Sequence, residues 1–138
     1  MLSDLVKNSA TTLLISEIVC QEIQNLYAEG LSEAVSQSKK SYKNLGRFFQ
    51  QKSEFAEPTN SYDFKTILQS TFEFIEFVGF SNVPHQIVVE RAIREKLPFR
   101  QNEKGYRDTL IWLSLLENLS KKSEGDEIIF ISKNTNDF

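Results

Sequence analysis

One cysteine, Cys20, and one histidine, His85, stand in the whole chain, and each scarcity closes off a class of chemistry. A lone cysteine forms no internal disulfide, which suits a reducing compartment. Structural zinc usually needs four Cys or His ligands, and two such residues cannot supply them. A Cys–His or Ser–His nucleophile would have to draw on His85 alone. His85 directly follows Pro84 and reads better as the opening of a helix. Long apolar runs are missing too. No stretch nears the roughly 20 apolar residues that a membrane span requires. The opening MLSDLVKNSATTLLIS carries Asp4 and no basic region ahead of an apolar run, so it does not read as a secretory leader. Cytoplasmic residence is the expectation. Excess charge of either sign is lacking as well. A net charge of −3 argues against coating nucleic acid by bulk charge, while leaving room for a local basic surface.

What is present is ordinary globular material with carboxylate to spare. The 138 residues, 40% apolar and 25% charged, suit one domain over residues 1–138 with a single packed core. Hydrolysis by such a chain would draw on oxygen-ligated Mg²⁺ or Mn²⁺. Two apolar runs read as buried strands: residues 11–15 (TTLLI), followed by Ser16 as a helix N-cap, and residues 127–132 (EIIFIS) after a turn-like SEGD. A weaker strand is expected near residues 80–83. Apolar spacing predicts a long helix from Ser16 to about Phe49 with a weak point at Gly30, a loop over residues 53–61, and a helix over residues 62–78. It also predicts a helix from Pro84 to about Lys96 with Ile87, Val88 and Ile93 inward. The last predicted helix covers residues 106–121, with Leu110, Ile111, Leu113, Leu115 and Leu116 buried. Cys20 and Trp112 are expected in the core. The order of elements is α/β.

Three acids fall where open α/β sheets build their sites, at the carboxyl ends of strands and the starts of helices. Glu22 lies two turns into the first helix. Asp108 is in the first turn after Gly105. Asp137 comes just past the last expected strand, with Asn134 and Thr135 before it. Carboxylates gathered at one place repel one another unless a cation neutralises them, which is the physical reason to assemble them around a metal. Each also has a plainer explanation: an exposed helix position for Glu22, the helix dipole for Asp108, a turn for Asn134 and Asp137.

Longer motifs bear on that choice. Residues 104–112, KGYRDTLIW, closely resemble a motif of a bacterial branch of the PIN-like nucleases, in which an aspartate after a basic residue begins an apolar helix. Residues 130–138, FISKNTNDF, look like that family's late strand and its N-x-x-D-F turn. Residues 15–23, ISEIVCQEI, are similar to the strand-to-helix entry that brings in the family's glutamate. RAIREKLPFR, within residues 84–100, is similar to the helix and loop ahead of the central motif. The resemblance implies a helix-rich three-layer α/β/α fold around a central, mainly parallel sheet. It implies a metal-dependent endoribonuclease that cuts single-stranded RNA to a 5′-phosphate and a 3′-hydroxyl. Carried over, it makes Glu22, Asp108 and Asp137 the metal-site acids for Mg²⁺ or Mn²⁺, with Asn134 as an additional or alternative contact. Lys104 and Arg107 fall to substrate, Arg107 as a phosphate contact or a local salt-bridge partner, and Thr135 holds an acid or a water by its hydroxyl. RNA is the implied partner, and an antitoxin or a second copy of the chain would be a protein partner.

The resemblance departs at both ends. PIN domains open with a strand ending in an aspartate, typically within D-T-N, and Asp4 has no apolar strand before it. The family also continues into a further strand. The expectation is therefore a truncated domain short of one acidic ligand, with a catalytically dead PIN-like binding module as the alternative. A basic stretch over residues 38–52 adds Lys39, Lys40, Lys43, Arg47 and Lys52 without an acid, interleaved with Tyr42, Phe48 and Phe49. Two readings stand open for it. Lys43 and Arg47 bind RNA phosphates while the aromatics stack on bases, or the stretch is a solvated helix face whose aromatics point inward.

Overall fold

Strand β1, Leu13–Ser16, runs straight into the longest element, helix α1, Glu17–Leu45. The computed structural model describes residues 11–48, 55–99, 105–122, 125 and 127–132. Ser16 serves both elements. It ends the strand, and its hydroxyl oxygen accepts the amide N–H of Ile18 at 3.3 Å, one of the donors that a helix start leaves without an intrahelical partner. The expected weak point at Gly30 does not interrupt the helix. One interior glycine costs about 1 kcal/mol relative to alanine, and the flanking Ala28, Glu29, Leu31 and Glu33 are tolerant or strong helix formers. The helix stops at Leu45, short of Phe49, and turns through Gly46, Arg47 and Phe48, whose amides reach back to Tyr42, Asn44 and Leu45.

The predicted helix over residues 62–78 is two elements. Helix α2 is only Phe64–Thr71, and strand β2 is Ile75–Val78. Side chains fix both ends of α2. Asp63 caps its start, one carboxylate oxygen accepting the Thr66 amide at 3.2 Å and the other the Thr66 hydroxyl at 3.1 Å. The hydroxyls of Ser70 and Thr71 both donate to the carbonyl of Ile67, at 2.8 and 2.7 Å. They satisfy the last turn and compete with its continuation. The apolar spacing of Phe64, Leu68, Phe72 and Ile75 mimics a helix across that stop, while Ile75, Phe77 and Val78 favour a strand. The weak strand expected at residues 80–83 is a turn, closed by Val83 N–H to the Phe80 carbonyl at 3.2 Å.

β2 pairs with β1 in parallel, with Leu13 opposite Ile75 and Ser16 opposite Val78. Helix α3, His85–Ile93, follows Pro84, whose extended φ of −65° suits the residue before a helix. His85 is its exposed first residue, as expected. Val88 is buried in α3, but Ile87 and Ile93 are not inward as predicted, being 44% and 76% exposed. Helix α4, Tyr106–Leu119, departs likewise. Its fully buried positions are Thr109 and Ser114, the expected leucines are half-buried, and Leu116 is exposed. Small side chains at the tightest contacts let a helix sit close to its neighbours, and α4 packs against α3 and both strands.

The described chain forms two compact units. One takes in the described residues up to Val19 together with those from Phe72 onward; the other is formed by those of Cys20–Thr71. In the first, Ser16, Ile18, Val78, Val88, Phe99, Thr109 and Ser114 make the core. In the second, Cys20 is buried as expected, and Gln24 organises the chain by spanning the start of α2. Its amide donates to the Tyr62 carbonyl at 2.7 Å and accepts from the Phe64 amide at 3.2 Å. Tyr27 stacks on Tyr62 at 3.9 Å between ring centres.

Residues 127–132 are not the expected strand. They hold no ladder among the described residues, and Ile128 to Ile131 are each at least 45% exposed. A β-prone sequence becomes a strand only beside a hydrogen-bonding neighbour. Phe130 meets the edge of Trp112 at 5.5 Å, and Trp112 is half-buried.

Two contacts tie the carboxyl end of α4 to β2. The Asn118 amide donates to Glu76 Oε1 at 2.7 Å, and Lys122 Nζ lies 2.7 Å from Glu76 Oε2. The Lys122 ammonium first, then the Asn118 amide, hold the Glu76 carboxyl below its ordinary 4.5. A depressed carboxyl pKa stabilises the fold above the unfolded value and loses that contribution as pH falls through the folded value. Both side chains of the pair are more than a third exposed, so solvent screening keeps the effect below about 1 kcal/mol. Glu76→Gln is expected to lower the urea midpoint slightly at pH 7 and to show a smaller deficit near pH 3. A deficit of equal size at both pH values would refute the linkage.

Candidate functional site

Asp108 owes its place to the turn before it. Gly105 adopts φ 106° and ψ 6°, a left-handed conformation that glycine reaches without Cβ strain. Its carbonyl accepts the Thr109 amide at 2.8 Å and so opens the α4 ladder. The backbone of Pro98 and Phe99 presses against it. A Cβ at Gly105 would overlap the Pro98 carbonyl oxygen and stand 2.8 Å from its carbonyl carbon. Asp108 is the third residue of α4 and is half-buried, where the free amides of a helix start favour an anion. The helix is anchored at its far end by Asn118 against Glu76. At 1.5 Å per residue, Asp108 stands about 15 Å along the axis from that anchor. The next residue, Thr109, is fully buried, and its hydroxyl oxygen has no hydrogen-bond partner among the described residues.

The other candidates are distributed as follows. Glu22 is half-buried on α1, within the second unit. Arg107, second in α4, is exposed. Lys43 and Arg47 are exposed at the end of α1. Lys104, Asn134, Thr135 and Asp137 lie outside the described residues. Sequence reasoning passed over Glu17, the first residue of α1. Parallel pairing sets Ser16 beside Val78, so Glu17 and Gly79 follow directly at the carboxyl ends of the two strands. A Glu17 carboxylate oxygen lies 3.5 Å from the Cβ position of Gly79. The available signal was its place directly after the predicted N-cap Ser16, two residues past the predicted strand.

The basic stretch divides between its two readings. Tyr42 is half-buried and tilts against Phe55 at 5.8 Å, inward as a solvated helix face requires. Lys39 is ion-paired with Glu57. Ala34, Ser38, Tyr42 and Leu45 on one face of α1, with Phe55, line an open hollow of about 430 Å³. Lys40 and Lys43 are exposed on the other side, and Arg47 is exposed in the turn past Leu45; at about 100° per residue, Lys40 is turned some 200° from Ser38.

Comparison with known proteins decides the family: the sequence profile of the PIN domain matches residues 1–138. The chain belongs to the PIN domain family. No curated protein and no solved structure matches it. PIN domains are generally nucleases and usually bind divalent metals. The α/β class and the helix-rich, parallel architecture expected from the sequence agree with this membership. No helix among the described residues is long and apolar enough to cross a membrane.

The donor set of this PIN domain fits such a metal in kind. Glu22 and Asp108 offer carboxylate oxygens, as Asp137 and Asn134 offer oxygens in the sequence, and hard cations such as Mg²⁺ and Mn²⁺ take oxygen ligands. In number the described residues fall short, because no three of their His, Cys, Asp and Glu side chains group closely enough to hold an ion.

Proposed function

We propose that this PIN domain is a metal-dependent endoribonuclease acting on single-stranded RNA in the cytoplasm. Glu22, Asp108 and Asp137 are its metal-site acids, and Asn134 an additional contact. The match to the PIN domain over residues 1–138 carries this reading. Asp108 supports it, being an aspartate built into the first turn of a helix whose other end is pinned to the sheet. Those side chains would hold Mg²⁺ or Mn²⁺, which would supply a Lewis acid for the scissile phosphate and a water made more nucleophilic at neutral pH. The chain's own residues do the rest. The first turn of α4 carries the Asp108 carboxylate, near the free amides of the helix start. Arg107, exposed beside it, offers a planar donor pair to a phosphate, with Lys104 close in sequence. Thr135, by the resemblance, would hold an acid or a water by its hydroxyl. Exposed Lys43 and Arg47 add cationic surface to the RNA-binding side of the reading. Products would carry 5′-phosphate and 3′-hydroxyl ends. A toxin role, with an antitoxin or a second copy of the chain as protein partner, belongs to the same proposal.

One observation favours a second reading, a PIN-fold module that binds RNA without cutting it: the described residues bring no three potential ligands together. Purified protein incubated with labelled single-stranded RNA in Mn²⁺ or EDTA separates the two. Cleavage in Mn²⁺ alone, with 5′-phosphorylated products, is the expected result. RNA retained intact in both conditions would support the binding module, and RNA neither held nor cut would sink both.

A further inference from the structure

Phe48 is 84% exposed, more than any other large apolar side chain among the described residues. It sits in the turn after α1, its amide bonded to the Leu45 carbonyl at 2.9 Å. Arg47 precedes it in the same turn, and Lys43 and Lys40 stand five and eight residues back on α1, all exposed. No acid occurs in the sequence from Ala34 to Phe48. Lys40 and Lys43, three residues apart, share a face of α1, and Arg47 follows in the turn two residues past Leu45. Lys39 is excluded from the group by its ion pair with Glu57, and Tyr42 by its contact with Phe55.

Neither the helix dipole nor packing accounts for the whole arrangement. Cations near a helix carboxyl end are favoured by the dipole, but that effect gives no reason to hold a phenylalanine in water. A polyanion with planar apolar rings satisfies both features at once: its phosphates meet the cations and one of its bases covers Phe48. We propose that Lys40, Lys43, Arg47 and Phe48 form a holding surface for single-stranded RNA, with Phe48 stacking on an unpaired base. The inference takes RNA as ligand from the functional reading above and adds a specific place for it, the carboxyl end of α1. The surface uses no metal and no carboxylate, so it acts whether or not the chain cuts what it holds.

The test is binding in EDTA, which keeps it separate from catalysis. Fluorescence anisotropy would follow a labelled single-stranded oligoribonucleotide and, beside it, the same strand closed into a duplex. Phe48→Leu is expected to weaken single-strand binding roughly 5- to 150-fold, the range for loss of one stacked base. It should leave the slope of log K against log salt unchanged and duplex binding untouched. Lys43→Ala should reduce that slope by about 0.7, one phosphate contact on a single strand. Both positions are exposed, and circular dichroism with a thermal melt checks that the variants remain folded. Equal single-strand affinity for Phe48→Leu and wild type overturns the proposal, as does absence of binding by the wild type. Equal competition by an acidic polyglutamate peptide would show a general anion patch and overturn it too. Failure of the nuclease reading looks different: RNA held at this surface, with Phe48 and Lys43 behaving as stated, yet never cleaved in Mn²⁺.

Discussion

Asp108→Asn is expected to reduce Mn²⁺-dependent RNA cleavage by a factor on the order of 10³, with little change in stability. The substitution preserves shape and removes one negative charge. A metal's stabilisation of the transition-state charge amounts to several kcal/mol, and each 1.4 kcal/mol is tenfold in rate. The structural cost is small because Asp108 is half-buried in the first turn of α4, where loss of its interaction with the helix dipole amounts to about 0.3–1 kcal/mol. Its thermal midpoint should therefore fall by only a few degrees. Glu22→Gln, also half-buried, should show the same split between activity and stability. Lys121→Ala, which breaks only an exposed pair with Glu117 at 3.2 Å, is a control expected to keep full activity. Cleavage persisting undiminished in both acid variants would mean that a contaminant or another set of residues does the cutting.

Legibility in the sequence followed how local the determining interactions are. α3 and α4 begin where Pro84 and Gly105 place them, because a fixed φ and a left-handed glycine act within one or two residues. β1 and the entry to α1 were legible for the same reason, with Ser16 capping two residues ahead. The split of residues 62–78 was not. Whether Ile75–Val78 extends the helix or becomes a strand depends on β1, some sixty residues away, offering a parallel partner. Residues 127–132 failed in the opposite direction: the composition of a strand is there, without a ladder among the described residues. Burial on α4 was misread because apolar spacing marks the leucines, while close packing of the helix on the sheet selects Thr109 and Ser114. For the site, Asp108 was legible from its local motif. The grouping of acids was not, since convergence is a property of tertiary structure and two of the proposed contacts, Asn134 and Asp137, lie outside the described residues.

Gly105→Ala should destabilise the protein more than any surface change named above, by about 2–5 kcal/mol, which is a large part of the 5–15 kcal/mol typical of a domain. Two costs combine. An L-residue at φ 106° is strained by roughly 1–3 kcal/mol. The added methyl also meets backbone, the carbonyl of Pro98 and Phe99 Cα at 3.1 Å, and no flexible side chain can move aside. Gly125 separates the two costs, since it has φ 109° but nothing within 4 Å of its Cβ position. Gly125→Ala should therefore show the strain alone. The difference between the two alanine variants in urea unfolding measures the overlap with Pro98. Asparagine sharpens the comparison, because it tolerates left-handed backbone better than alanine but carries the same Cβ. Gly125→Asn should be milder than Gly125→Ala, whereas Gly105→Asn should be no better than Gly105→Ala. If asparagine rescues position 105, conformation alone matters there. If it does not, the contact with Pro98 fixes where α4 begins, and with it where Asp108 points, so residual folded Gly105→Ala protein should also lose Mn²⁺-dependent cleavage.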